Sequence, residues 1–326
     1  SGTSHLLVMT QASESITFVN VDEDPVPSIL RGFSAPVVLE FDYTDAQLLA
    51  LLAHDTDPFN RWEAGQRLAL RCAIESIASG AQPAGAEVLN GAYIEAMRSV
   101  LRHPTLDAAF KELVLTLPSE GYIAEQLDVV DPQRIHAVRE AMRRQLAQAL
   151  QADWAWAFDT HQDTGAYRPD PLSSGRRALT GMALVNLCLA ARDSGDTVWP
   201  GKTFQRFKDA GNMTDRFNAL SALVSSGSDH AAPALARFHA LFKNEALVLD
   251  KWFALQAGAP DQDGNILPAV KQLLKHPDFS LKNPNRARSV IFSYCSANPG
   301  AFHRADAAGY VFWSDRVIEL DATNPQ

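Results

Sequence analysis

The residues best suited to do chemistry in this chain lie in "LKNPNRARSV", residues 281–290, where Arg286 and Arg288 fall in the first turns of an expected helix. Asn283 suits the cap, Pro284 the first helical position, and Val290, Ile291, Tyr294 and Cys295 recur at helical spacing until the Asn298-Pro299-Gly300 break. A helix N-terminus carries about half a positive charge, so cations placed there are unfavourable unless an anion compensates. Two anions would serve: an Asp or Glu on a neighbouring helix, or a ligand carboxylate or phosphate held with the help of free backbone N–H groups. The chemistry on offer is therefore recognition of negative charge.

The elements that must position these arginines are helical. From Thr44 onward the apolar period is about 3.6. "TDAQLLALLAH" opens with a Thr44 or Asp45 cap, and "DPFNRWEAGQRLALRCAIESIA" with Asp57 as cap and Pro58 at the first position. Asp131-Pro132 begins the longest expected helix, whose stripe runs Ile135, Val138, Met142, Leu146, Leu150 and Trp154. Trp154 and Trp156 read as core or interface anchors. Further helices are expected at 176–193, 201–210, 214–225, 229–242, 245–256, 265–275, 284–296 and 306–321. About a dozen helices joined by short loops, in pairs without a literal consensus, predict a mainly α fold: an α-solenoid of antiparallel armadillo- or HEAT-like helix pairs. Residues 1–43 differ. "SHLLVMT", "ESITFVNV" and "APVVLEFDY" are short, rich in Val, Ile and Phe and separated by turn-formers, with Val37, Leu39 and Phe41 alternating in the last, so they read as strands of a sheet whose other strands are absent. The expected division is 1–43 for those strands and 44–326 for the helical repeats. "LDATNPQ" reads as the opening of another helix, so the final helices of the array are expected to be lacking.

Composition and motifs exclude several functions. With 46% hydrophobic residues the chain can fill a core; a net charge of −9 and scattered Lys and Arg argue against nucleic acid as a partner. No apolar stretch or leader suggests a membrane partner, and Cys72, Cys188 and Cys295, far apart in apolar sequence, read as reduced core thiols of a cytoplasmic protein. None of the nine histidines is followed by Glu, and no Cys or His pairing has zinc-ligand spacing. G-x-S-x-G, Walker and G-x-G-x-x-G patterns are absent, so no catalytic residue and no metal ligand is expected. "DQDGN", 261–265, reads as an interhelix turn, "NMT", 212–214, as a helix start capped by Thr214, and His103-Pro104 and His276-Pro277 as helix ends capped by imidazole.

Several stretches, in order, resemble the C-terminal portion of bacterial aminopeptidase N, of the gluzincin zinc aminopeptidase family: "DEDPVPSILRGFSAPVVLEFDY", "DPFNRWEAGQRLAL", "GNMTDRFNALSALV", "LVLDKWFALQA", "FSLKNPNRARSVIFSYCSANPGAFHRADAAGYVF" and "LDATNPQ". The resemblance implies an immunoglobulin-like β-sandwich followed by a helical solenoid that covers the active site and shapes the substrate chamber. It also implies zinc in the parent enzyme but none on this chain, which lacks H-E-x-x-H and is expected to be inactive alone. Implied partners are peptide substrates, reached through the parent, and the parent's own catalytic domain. Arg288 resembles a cleft-facing cation for peptide carbonyls or a C-terminal carboxylate, and Gln326 a second cleft-facing position. Asn283, Asn285 and Arg286 are further cleft candidates that could instead serve the cap or an interhelix ion pair. The competing expectation is a stand-alone helical-repeat scaffold that binds a protein or peptide partner.

Overall fold

The structure, a computed structural model, describes residues 4–80 and 87–322. From residue 4 to Tyr43 the described chain is irregular apart from a 3₁₀ turn at Arg31–Phe33, with left-handed backbone at Asn20, Leu30 and Phe33, and it forms no strand ladder. The expected strands are thus unpaired among the described residues, because a strand needs a neighbour to take its backbone N–H and C=O groups. Val38 is 91% exposed and Leu6 81%. The end of this segment is nevertheless anchored. Arg31 pairs with Asp55 at 2.5 Å, the Tyr43 hydroxyl donates to Pro27 O at 2.7 Å, and Asn60 Nδ2 donates to Ile29 O at 3.0 Å.

The described residues then form α1 (Asp45–His54), α2 (Pro58–Ala78), α3 (Gly91–Arg102), α4 (Ala108–Leu115), α5 (Glu120–Ala124), α6 (Pro132–Ala149), α7 (Gln151–Thr160) and α8 (Pro171–Ser194). There follow α9 (Val198–Asp209), α10 (Met213–Ser225), α11 (Ala231–Phe242), α12 (Ala246–Ala257), α13 (Ile266–Leu273), α14 (Pro284–Ala297), α15 (Pro299–Phe302) and α16 (Ala308–Asp321). Most packing is between helices one or two apart in the chain, as in a solenoid, with α4 on α8 and α6 on α15 as longer-range pairs. No described helix is long and apolar enough to cross a membrane.

Local chemistry explains the helix starts. Asp57, Asp131 and Asp170 each precede a proline and accept from the N–H three residues on, at Asn60, Arg134 and Ser173, all at 3.0 Å. Such caps are worth about 1 kcal/mol each. The Asp170 cap starts α8 at Pro171, earlier than the expected 176. At "NMT" the cap is Asn212, not Thr214: Asn212 Oδ1 accepts from Asp215 N at 2.9 Å while Asn212 Nδ2 donates to the Asp215 carboxylate at 2.8 Å. The helix expected to run through Trp154 breaks at Leu150 (φ −107°, ψ 21°), although every residue of its stripe, Trp154 included, is buried. A single non-helical residue there turns the chain while leaving the apolar stripe in phase.

Two main hydrophobic cores result among the described residues, one built from α1–α8 and one from α8–α16, with a small cluster of Ala147, Leu189 and Ala190 between α6 and α8. Helix α8 serves both: Leu179, Ala183 and Leu187 enter the first, Leu184 and Cys188 the second. The solenoid also makes a contact between distant turns. Gln133, in the first turn of α6, donates to Gly300 O at 3.0 Å and His303 O at 2.5 Å at α15. Beside it, His136 Nδ1 lies 2.8 Å from Glu120 Oε1, a hydrogen bond that raises the imidazole pKa above its usual 6.5 against the opposing effect of burial. A raised folded-state pKa stabilises below the unfolded value and loses that contribution as pH climbs through the folded one. The stability difference between the wild type and His136→Gln, measured by urea denaturation, should therefore shrink from about pH 6 to about pH 8. A constant or growing difference would show that the pair is not charged in the fold.

Candidate functional site

The two arginines at the start of α14 have different surroundings. Asn283 caps the helix, its Oδ1 accepting from Asn285 N at 3.1 Å and Arg286 N at 3.3 Å. Arg286 is buried: its Nε donates to Asp250 Oδ1 on α12 at 2.6 Å, its Nη2 to Ala246 O at 3.3 Å and its Nη1 to Asp278 O, with the guanidinium 5.0 Å from the Phe253 ring centroid. The anion answering Arg286 is thus a carboxylate on a neighbouring helix. Arg288 is exposed, and its contact is with Asn285 Oδ1 at 3.4 Å. Among the described residues no carboxylate lies within ion-pair distance of it. One turn of helix therefore carries an internally neutralised cation and a solvent-facing one. Asn285, also exposed, stands beside Arg288; Gln326 lies outside the described residues.

Two surface cavities occur nearby and in the middle of the array. One of about 680 Å³ lies between α13, the segment leading to α14, and α16, where Lys271, Lys275, Lys282 and Arg316 surround Phe279 and Phe312. The other, about 410 Å³, lies among α4, α6, α8 and α10 and is lined by Glu112, Arg139, Arg143, Met182, Asn186 and Asn218. Burial raises the pKa of Glu112.

Other expected positions resolve simply. Cys72 and Cys188 are buried and Cys295 half-buried, all free; burial pushes the thiols of Cys188 and Cys295 up to about 11 and that of Cys72 upward, so none is a ready nucleophile. Trp154 is core, while Trp156 lies 4.3 Å beneath the Arg102 guanidinium. At 261–265 a turn forms, Asp261 Oδ1 accepting from Ile266 N at 2.9 Å. The two His-Pro segments depart from the expected capping of helix carbonyls. His103 Nδ1 accepts from Thr105 N at 3.3 Å and His276 Nδ1 from Asp278 N at 3.1 Å, because proline, having no N–H, leaves the following amide to turn back on the ring. Sequence reasoning did not find Asp250, 36 positions from Arg286; no local spacing encodes that pairing.

Comparison with known proteins places this geometry in a family. Residues 45–326 match the family described as "Domain of unknown function (DUF3458_C) ARM repeats", and residues 1–42 match "Domain of unknown function (DUF3458) Ig-like fold". The chain belongs to the DUF3458_C family of ARM-repeat domains. It is 37% identical over 325 residues to aminopeptidase N of Caulobacter vibrioides and 36% identical over 321 residues to aminopeptidase N of Escherichia coli. These alignments cover 99% and 98% of this chain but 36% of each relative. Among solved structures, that of Legionella pneumophila aminopeptidase A in complex with aspartic acid matches with a TM-score of 0.80 at 28% identity, over 94% of this chain and 36% of that one. The chain is similar to a C-terminal portion of aminopeptidase N and spans about a third of the length of the relatives it matches.

Proposed function

We propose that this chain is the non-catalytic C-terminal region of a zinc-dependent aminopeptidase that removes N-terminal amino acids from peptides, with residues 1–43 belonging to a β-sandwich domain and residues 44–326 to a solenoid that covers the active site and shapes the substrate chamber. The observation that carries the reading is the similarity to aminopeptidase N along essentially the whole chain. No position of the chain carries H-E-x-x-H, so its residues do not fit the zinc centre of that chemistry. The chain's own contribution is to bind and orient substrate. Arg288 is the cation suited to that role, since it is exposed, its charge is not answered by a carboxylate among the described residues, and Arg286 beside it fixes the helix start. A guanidinium reaching a peptide carbonyl or C-terminal carboxylate makes a charge-assisted hydrogen bond.

Steady-state kinetics of Arg288→Ala in the natural enzyme test this. The KM for peptides should rise about tenfold, the equivalent of about 1.4 kcal/mol of binding. The KM for aminoacyl chromogenic substrates, which lack a peptide tail, should stay near wild type. Equal effects on the two substrate types would overturn the role of Arg288. A native species of 35.6 kDa, recovered from source cells without metal, would overturn the aminopeptidase reading and favour a stand-alone helical scaffold.

A further inference from the structure

His239 on α11 and the His276-Pro277-Asp278 segment between α13 and α14 converge at one place on the solenoid. His239 Nε2 lies 2.6 Å from Asp278 Oδ2, His276 Nδ1 lies 3.8 Å from the same oxygen, and one potential ligand atom from each of the three residues falls within 4.8 Å of the other two. We propose that these residues form a divalent transition-metal site of the zinc class, with two imidazole nitrogens and one carboxylate oxygen as ligands and solvent completing the sphere.

The donor set suits the ion. Imidazole and carboxylate are standard zinc ligands, and tetrahedral coordination at about 2.0–2.1 Å separates ligand atoms by about 3.3 Å. The observed spacings bracket that value, so small side-chain rotations bring the three atoms into place. His276 has its unprotonated nitrogen on this side: Nδ1 accepts from Asp278 N at 3.1 Å, and ligation would require a small ring rotation that exchanges that amide for the ion. At His239 the ion takes the place of the proton now shared between Nε2 and Asp278.

The surroundings hold the ligands. Pro277 fixes φ between the two loop ligands, and Arg286 donates to Asp278 O, tying the loop to α14. The charge of Arg286 is already answered by Asp250, so it does not set an unpaired cation against the ion. Trp252 lies 5.0 Å from His239 and 5.2 Å from His276, and Phe253 5.5 Å from His276, centroid to centroid. This aromatic wall covers one side, lowers the local dielectric and strengthens ligation, while all three ligands keep partial solvent access for entry of the ion. A bound ion would clamp α11 to the α13–α14 connection.

The test uses the untagged full-length protein, dialysed against Zn²⁺ and assayed for bound metal by mass spectrometry. The wild type should hold one more equivalent than a His239→Gln/His276→Gln variant with the same circular dichroism. Asp278→Asn, which preserves shape, should weaken that equivalent at least about tenfold. Equal metal content in all three proteins would overturn the site. Diethyl pyrocarbonate footprinting of the unsubstituted protein settles the matter even where a variant fails to fold. Zn²⁺ should protect His239 and His276 from modification and leave exposed His54 unchanged; absence of protection at both overturns the proposal.

Discussion

Arg286→Ala should lower folding stability by about 3 kcal/mol, because it strips a half-buried carboxylate of its partner and removes a guanidinium that holds three elements together. Asp250 Oδ1 at 2.6 Å, Ala246 O at 3.3 Å and Asp278 O all lose a donor, and the face of Phe253 loses its cation. Lysine cannot reproduce the fork that reaches all three acceptors, so Arg286→Lys should recover only part of the loss. Removing both partners in Arg286→Ala/Asp250→Ala should destabilise less than the sum of the single changes, since no charge is then left stranded. The comparison is internal to one turn of helix: Arg288→Ala should stay within about 0.5 kcal/mol of wild type. Denaturant midpoints measure all of these, and similar losses for Arg286→Ala and Arg288→Ala would contradict the assignment of one arginine to the fold and the other to solvent.

The same substitution should have opposite signs at two helical glycines. A Cβ on Gly175 of α8 would lie 2.8 Å from Ala109 N and 2.9 Å from Ala109 Cβ, atoms of the α4 backbone and its first turn that cannot rotate away. Helices α4 and α8 approach closely because that position carries only hydrogen. Gly175→Ala should therefore destabilise by about 2 kcal/mol, the overpacking term outweighing the roughly 1 kcal/mol that alanine gains in a helix. At Gly201 in α9 a Cβ meets nothing within 4 Å, so Gly201→Ala keeps only the helical gain and should stabilise by about 0.5–1 kcal/mol. Thermal melts of the two variants decide it. Stabilisation by both would mean that α4 and α8 have slack where they cross.

How much of this was legible follows from which interactions are local. The Asp-Pro helix starts at Asp57 and Asp131 read directly, because cap and helix lie within four residues of each other. The same pair at Asp170-Pro171 was available and marks the true start of α8, ahead of the stretch where apolar periodicity becomes obvious. The turn at Leu150 was not legible: its stripe stays in phase on both sides, so periodicity reads one helix where there are two. For the unpaired N-terminal segment, alternation gives extended backbone but says nothing of which strand lies alongside. At the candidate site, the anomaly of two cations at a helix N-terminus was visible, but its resolution depends on Asp250, far off in the chain. The convergence of His239 with Asp278, 39 positions apart, is likewise a product of packing that no short motif carries.

The contact between α6 and α15 changes the mechanical character of the array. In an open stack of repeats, curvature is the sum of many small rotations, and a slight error at each step is free to accumulate along the length. Here Gln133 reaches across 170 positions to His303 O, and Gly300 lies close enough to His136 that a Cβ on the glycine would fall 3.1 Å from that of the histidine. Such a fastening turns a spring into a hoop: the intervening helices cannot relax their curvature independently, because their summed rotation must return the chain to the same meeting point. The radius of the arc is then written at the buckle as well as in each repeat.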